Sequence, residues 1–355
     1  MILLLITAGV FLSGADSYGL PPKKPKNIIL LIGDGMGTAQ VYAAMSVTDE
    51  PFYMRQFPYS GFCITYSADN YVTDSGAGGT AIACGVKTNN GMIGVTPDGT
   101  PVPSIMEIVR LMGMSTGVIS TSAITHATPA SFVAHNTGRG NYEDIALDFL
   151  SGTADLFIGG GENHFRNRRD GRDLTIGLKE QGYDVVYTLD DLISSNSPKI
   201  AGLLAREHLP TVLEGREGML EAMTGKAIAT LSRNKKGFLL MVEGSMIDWG
   251  GHDNDIDYTL SETIDFDKAV GVALNFAIRD RKTLVVVTSD HETGGLTITG
   301  EDTKTGNIIT NFSTRGHSAV MVPVFSYGPG AEEFSGINDN TFFFARFLKL
   351  LKIKK

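Results

Sequence analysis

The chain has 355 residues, 42% hydrophobic and 19% charged, which is the balance of a globular protein able to bury a sizeable core. Its net charge of −9 argues against non-specific nucleic-acid binding, which needs a basic footprint, and leaves room for a locally positive pocket. Two cysteines, Cys63 and Cys84, are too few for a disulfide framework or a cysteine metal cluster and read as buried thiols.

In chain order, residues 1–12 form a short apolar run followed by Ser13-Gly14-Ala15, a small-x-small cleavage pattern. This predicts a secretory signal peptide over 1–15 and an exported protein, periplasmic or extracellular. The run falls short of the roughly 20 apolar residues that span a bilayer, and no cysteine lies near the cleavage site, so no stable membrane anchor is expected. Residues 16–26, rich in Pro and Lys, read as a linker, and 27–355 as a single domain. Apolar, β-rich runs at 27–32, 61–66, 115–120, 238–242, 284–287 and 322–327 read as strands, the last closing the sheet. Helical patterns lie at 75–84, 104–112, 142–150, 218–232, 259–278 and 341–351. The alternation predicts an α/β fold with a largely parallel sheet. The polar stretch 159–215 reads as excursions around that core, and His164 and His208 within it as surface residues. Phe342-Phe-Phe344 reads as the core face of the last helix.

The chemistry begins at Thr73-Asp74-Ser75, which places a hydroxyl beside a carboxylate at a helix start. A serine hydroxyl is a weak nucleophile at neutral pH and needs a base, a lowered pKa or a metal. No histidine is near in sequence, but four clusters of Asp, Glu and His each adjoin an apolar run. Asp34 follows the first strand, Glu243 precedes Asp248 and His252, Asp290-His291 ends another strand, and His317 precedes the last. In open α/β sheets, ligands bind at the carboxyl ends of the strands. Singly, each cluster has a structural explanation as a cap or turn; four in register with strand ends do not.

Asp248 and His252, four residues apart, can reach one zinc ion, with His317 completing a set that keeps a position open. Gly250-Gly251 between them favours a loop over a regular helix. A turn lets Asp290 and His291 face a second ion together with Asp34 and the Ser75 oxygen. A hard oxygen set of Glu243, a hydroxyl and shared Asp34 suits magnesium. Gly33-Asp-Gly-Met-Gly37 lacks the full spacing of a dinucleotide loop.

With these residues in place, the chain resembles the alkaline phosphatases from residue 27 to about 329. The resemblance rests on Asp34-Gly-Met-Gly37, Thr73-Asp-Ser75, Ala127-Thr-Pro129, Glu243-Gly-Ser-Met-Ile-Asp248 with His252, Ser289-Asp-His-Glu-Thr-Gly-Gly295 and Gly316-His317-Ser318. It implies a three-layer sandwich, a mostly parallel central sheet flanked by helices, and a homodimer. It implies two Zn2+ and one Mg2+ per subunit: the first zinc on Asp248, His252 and His317, the second on Asp34, Asp290, His291 and Ser75, and magnesium on Asp34, Thr128 and Glu243. Ser75 would attack phosphate monoesters of broad range through a phosphoserine intermediate, with Arg139 clamping the phosphoryl oxygens and Asp74 and His135 supporting the site. Three positions depart from the best-known bacterial pattern. His126 stands where some members carry Asp and is expected to order a water or tune the third metal; Trp249 stands near the phosphate and, with the compact length, is most similar to bacterial, cold-environment members. Gly76 replaces the usual Ala, which on propensity alone loosens the helix start by up to about 1 kcal/mol. The competing readings are a phosphodiesterase or sulfatase on the same scaffold, and a secreted phosphate- or metal-binding protein without turnover.

Overall fold

The structure, a computed structural model, describes residues 24–302 and 307–353. The expected signal peptide and all but the end of the linker lie outside the described residues. The apolar run of β1 (Asn27–Gly33) is buried along its whole length. Ile28, Leu30 and Ile32 enter one core, and Ile29 and Leu31 the other. A strand reads as continuously hydrophobic when helices cover both faces of its sheet.

The remaining strands are β2 (Tyr59–Ile64), β3 (Ser115–Ala123), β4 (Leu156–Gly160), β5 (Asp184–Val186), β6 (Ile200–Leu203), β7 (Phe238–Gly244), β8 (Thr283–Thr288), β9 (Glu292–Thr293), β10 (Leu296–Glu301), β11 (Ile308–Phe312), β12 (His317–Ser318), β13 (Val322–Tyr327) and β14 (Gly336–Asp339). Ten form one sheet in the order β14-β2-β13-β8-β1-β7-β3-β4-β6-β5. Strand β13 runs antiparallel to β2 and β8, and the other pairings in this sheet are parallel. One core packs under the helices Ser75–Cys84, Ile105–Leu111 and Phe342–Leu351, the other under Met219–Leu231 and Ile256–Asp280. This is the expected three-layer sandwich. Phe343 and Phe344 are buried in the first core, and Cys63 and Cys84 are free, buried thiols.

Three expectations change. The polar stretch 159–215 is not only excursion: β5 and β6, with the end of β4, extend the sheet through it. These strands are short, and Asp184 on edge strand β5 is exposed, so no long apolar run marks them. The sheet does not end at β13, because β14 pairs in parallel with β2 although Gly-Ile-Asn-Asp has little apolar pattern. Gly250 and Gly251 lie inside the helix Ile247–Asp253, not in a loop. A Cβ at Gly250 would sit 2.6 Å from Thr259 Oγ1, and one at Gly251 2.8 Å from the Thr293 carbonyl oxygen. These glycines serve close packing that a propensity argument cannot see.

Candidate active site

Strands β8, β1, β7 and β3 are adjacent and parallel, so their carboxyl ends open on one place. Asp34 leaves β1, Glu243 lies near the end of β7, and Asp290-His291 follow β8. Beyond β3, the turn holding His126 leads into the short helix Ala127–Ala130 that carries Thr128. The helix Ile247–Asp253 brings Asp248 and His252 to the same mouth, and β12 brings His317.

Three ligand-bearing groups result: Asp248, His252 and His317; Asp34, Asp290 and His291; and Asp34, His126 and Glu243, the ligand atoms of each lying within 4.8 Å of one another. In the first, Asp248 Oδ1 is 3.3 Å from His252 Nε2 and 3.5 Å from His317 Nε2. In the second, His291 Nε2 is 3.3 Å from Asp34 Oδ1, 3.4 Å from Asp290 Oδ2 and 3.2 Å from Ser75 Oγ. Each of these histidines has a partner for its other nitrogen. His317 Nδ1 is 2.9 Å from the Thr73 carbonyl, His252 Nδ1 is 2.6 Å from the Arg315 carbonyl, and His291 Nδ1 is 3.2 Å from Thr293 Oγ1. A ring nitrogen facing a carbonyl carries a proton, so in the neutral ring it is Nε2 that holds the lone pair a metal binds.

The donor set fits cations on two further grounds. Asp34 Oδ1, Glu243 Oε1, Asp290 Oδ2 and His126 Nδ1 are buried without a hydrogen-bond partner among the described residues. Buried polar atoms are rarely left so, and an ion is one resolution. Burial, and then repulsion from Asp290, Asp248 and Glu243, hold the Asp34 carboxyl well above the ordinary range. Burial followed by Asp248 and Glu243 lifts Asp290 to about 7. Burial likewise raises Glu243 and lowers His126 to about 3, so its imidazole is neutral. Bound cations would remove this repulsion.

Ser75 opens the helix Ser75–Cys84, whose ten residues are all buried. Its glycines follow from crowding. A Cβ at Gly78 would lie 3.0 Å from the Asp290 carbonyl, and at Gly79 2.8 Å from Ser131 Oγ. At Gly76 it would lie 2.8 Å from the Met92 carbonyl, so glycine here is a fit to the neighbouring loop, and the weak helix start inferred from propensity is not the relevant cost. Gly76→Ala is expected to lower the melting temperature, since overpacking costs about 1–3 kcal/mol against about 1 kcal/mol of propensity gained. A rise in calorimetry would show that the Met92 loop yields freely.

Asp74 caps this helix, its Oδ1 accepting from Ala77 N–H at 2.9 Å. Its Oδ2 accepts from Gly91 N–H at 2.9 Å and from Arg139 Nη1 at 2.8 Å. One carboxylate therefore orients both the helix that Ser75 opens and the arginine. His135 bonds the Gly94 carbonyl at 2.7 Å and Glu107 at 3.2 Å, an anchor for the segment leading to Arg139. Thr128 Oγ1 donates to Asp34 Oδ2 at 3.2 Å.

His126 is closer to the third group than expected, since one ring nitrogen is a candidate donor beside Asp34 and Glu243. Half-buried Trp249 lies 6.3 Å from the His126 ring and 4.8 Å from that of His208. His208 and His164 are not surface residues. His208 accepts from Ala123 N–H at 3.0 Å, and buried His164 stacks on Tyr142 at 4.8 Å and meets Thr125 Oγ1 at 2.6 Å. Sequence reasoning also missed Ser120 and Ser245. Ser120 Oγ donates to Glu243 Oε2 at 2.6 Å and meets Ser245 Oγ at 2.9 Å. A partial sign was available: three successive hydroxyl residues, Ser120-Thr121-Ser122, follow the apolar pair Val118-Ile119 near the end of β3.

Comparison with known proteins agrees with this geometry. The alkaline phosphatase family profile matches residues 25–312. The chain belongs to the alkaline phosphatase family. It is 34% identical to alkaline phosphatase 4 of Bacillus subtilis (strain 168), over 99% of this chain and 95% of that protein. The solved alkaline phosphatase of the Antarctic bacterium TAB5 is 45% identical and superposes with a TM-score of 0.89, covering 94% of this chain and 99% of that one. Variants of that Antarctic enzyme with aspartate or glutamate in place of one histidine have been solved with magnesium in the M3 site. The family membership makes this chain a phosphatase of phosphate monoesters.

Proposed function

We propose that the protein is an exported, metal-dependent phosphomonoesterase that works through a phosphoserine formed on Ser75. The observation that carries this reading is the position of Ser75 Oγ. It sits at the first turn of a helix, 3.2 Å from His291 Nε2, with the Asp74-held Arg139 on the same framework. Zinc would be held by Asp248, His252 and His317, and again by Asp34, Asp290 and His291; magnesium would be held by Asp34, Thr128 and Glu243. The neutral nitrogen of His126 in the third group makes that site a poorer magnesium cage than an all-oxygen set. When bound, the ions would lower the pKa of the serine and of water and neutralise phosphoryl charge.

The chain's own residues then do the rest. The amino end of the helix Ser75–Cys84 favours an anion at Ser75. Arg139 presents its guanidinium fork to two phosphoryl oxygens, and Asp74 keeps it from swinging away. Ser75 Oγ attacks phosphorus, the ester oxygen departs as the alcohol, and water hydrolyses the phosphoserine to free phosphate. Arg139→Lys keeps the charge but loses the fork. It should lower kcat/KM for p-nitrophenyl phosphate by about 10- to 100-fold, equivalent to one charged hydrogen bond, and weaken inhibition by phosphate. An unchanged phosphate inhibition constant would remove Arg139 from the anion site.

The discriminating experiment runs p-nitrophenyl phosphate beside bis-p-nitrophenyl phosphate and p-nitrophenyl sulfate with zinc- and magnesium-loaded enzyme. A large monoester preference supports the reading, whereas a diester or sulfate preference assigns a sister activity. Binding of phosphate without turnover of any ester would leave a non-catalytic binding protein. A homodimer and a periplasmic or extracellular location belong to the same proposal. Among the described residues, no helix is long and apolar enough to cross a membrane. The net charge of −9 argues against nucleic acid as a specific partner.

A further inference from the structure

Thr293 touches both proposed zinc sets, although it belongs to neither. Its hydroxyl donates to Asp248 Oδ1 and lies 3.2 Å from His291 Nδ1. A hydroxyl has one proton to give and lone pairs to receive. An ionised Asp248 can only accept, so the threonine proton points to Asp248, and Oγ1 accepts the Nδ1 proton of His291. That direction leaves His291 Nε2 unprotonated and facing Asp34, Asp290 and Ser75. The same hydroxyl thus orients the carboxylate of one set and selects the tautomer of the histidine in the other.

The backbone of Thr293 extends the connection. Thr293 pairs directly with His317 across β9 and β12, so its main chain sets the place of a further ligand of the first set. Its N–H donates to the Gly35 carbonyl at 3.1 Å, one residue from Asp34, and its carbonyl accepts from Gln40 Nε2 at 2.9 Å. It is buried and closely surrounded: Cβ atoms built on Gly35 and Gly251 would each lie 2.8 Å from a Thr293 oxygen. With its N–H and its carbonyl both hydrogen-bonded, the residue presents its hydroxyl to the two sets from one fixed main chain.

We propose that Thr293 is a positioning residue that couples the two sets, so that filling one raises the affinity of the other. The inference rests on the two-zinc reading of the site and adds a residue and a linkage to it. A cation on Asp248 secures the carboxylate that receives the Thr293 proton. The hydroxyl lone pair is then fixed toward His291, and the second set is prepared before its ion arrives.

The test titrates metal-free protein with Co2+, following its visible absorption, and with Zn2+ in competition with a chromophoric chelator. Wild type, Thr293→Val and Thr293→Ser are compared. Valine keeps the branched shape and removes the hydroxyl; serine keeps the hydroxyl. Wild type should take up the two ions cooperatively. Thr293→Val should bind each about 10- to 100-fold more weakly, in two separate steps, with an altered Co2+ spectrum at both sites. Thr293→Ser should restore the cooperative titration, which a purely structural loss in the valine variant would not predict. If Thr293→Val titrates like wild type, or only one site weakens, the coupling is wrong. If wild type takes up neither ion, the two-zinc reading itself falls, and the coupling with it. Should Thr293→Val fail to fold, a non-cooperative titration of well-folded Thr293→Ser or of wild type would still overturn the proposal.

Discussion

Ser75→Ala is expected to lower the turnover of p-nitrophenyl phosphate by on the order of 10³-fold or more, the scale on which removing a covalent nucleophile acts. The fold should survive, because alanine is smaller than serine at this buried helix start and Asp74 still supplies the cap. The variant should still bind phosphate, since Arg139 and the metal-ligand groups are untouched. Acid-quench trapping with labelled substrate should yield phosphoprotein from the wild type and none from Ser75→Ala. If the variant kept more than about a tenth of the activity, water rather than Ser75 would be the attacking group, and the phosphoserine route would be wrong.

Removing the metal ions is the second large effect. Activity should vanish on chelation and return with zinc and magnesium, and stability should fall in a pH-dependent way whose sign follows from the buried groups. Asp290 is held at about 7 against an ordinary 3.8, and Asp34 is held well above its ordinary range, by burial first and then by neighbouring carboxylates. His252, hydrogen-bonded to Asp248, is raised from 6.5 to about 9. Each of these groups holds its proton more tightly folded than unfolded, so its contribution is present at low pH and lost as pH rises through the folded value. Buried neutral His126 and His291 work the other way, but only below their ordinary 6.5. Asp290 loses its contribution between its ordinary 3.8 and about 7, and His252 between 6.5 and about 9, so above pH 6.5 the metal-free protein should go on losing stability up to about pH 9. Cations favour the ionised carboxylates and neutral imidazoles and should reverse that trend. Differential scanning calorimetry of loaded and metal-free protein across this range should show a gap in melting temperature that widens with pH. A constant gap would mean that His252 and the raised carboxylates do not give up their protons when ions bind.

Much of the chemistry was legible before any fold was built. Asp34, Asp290 and His291 each follow a run of apolar residues and Glu243 lies near the end of one, so strand and ligand could be read together. Asp74 was legible as a carboxylate beside Ser75 at a helix start, and the structure gave it the cap on Ala77. Less was legible where a feature depends on what lies opposite. Gly250 and Gly251 suggest a loop by propensity and sit in a helix because Thr259 and Thr293 press against them. His164 and His208 lie in polar stretches but pack around Tyr142, His126 and Trp249. Gly76 reads as a weak helix start and is a close approach to Met92.

The sequence by itself determined which residue types could serve as nucleophile, anion clamp and ligand, and that they cluster at strand ends, because these signals are local in the chain. The grouping of the ligands was already readable from their spacing and the resemblance; the tertiary structure alone decided what holds each in place and added His126 to the third group. Asp248 and Thr293 are 45 residues apart, and His317 meets the Thr73 carbonyl across 244. Hydrogen-bond direction and steric room at such contacts are properties of the packed core, and no periodicity along the chain encodes them.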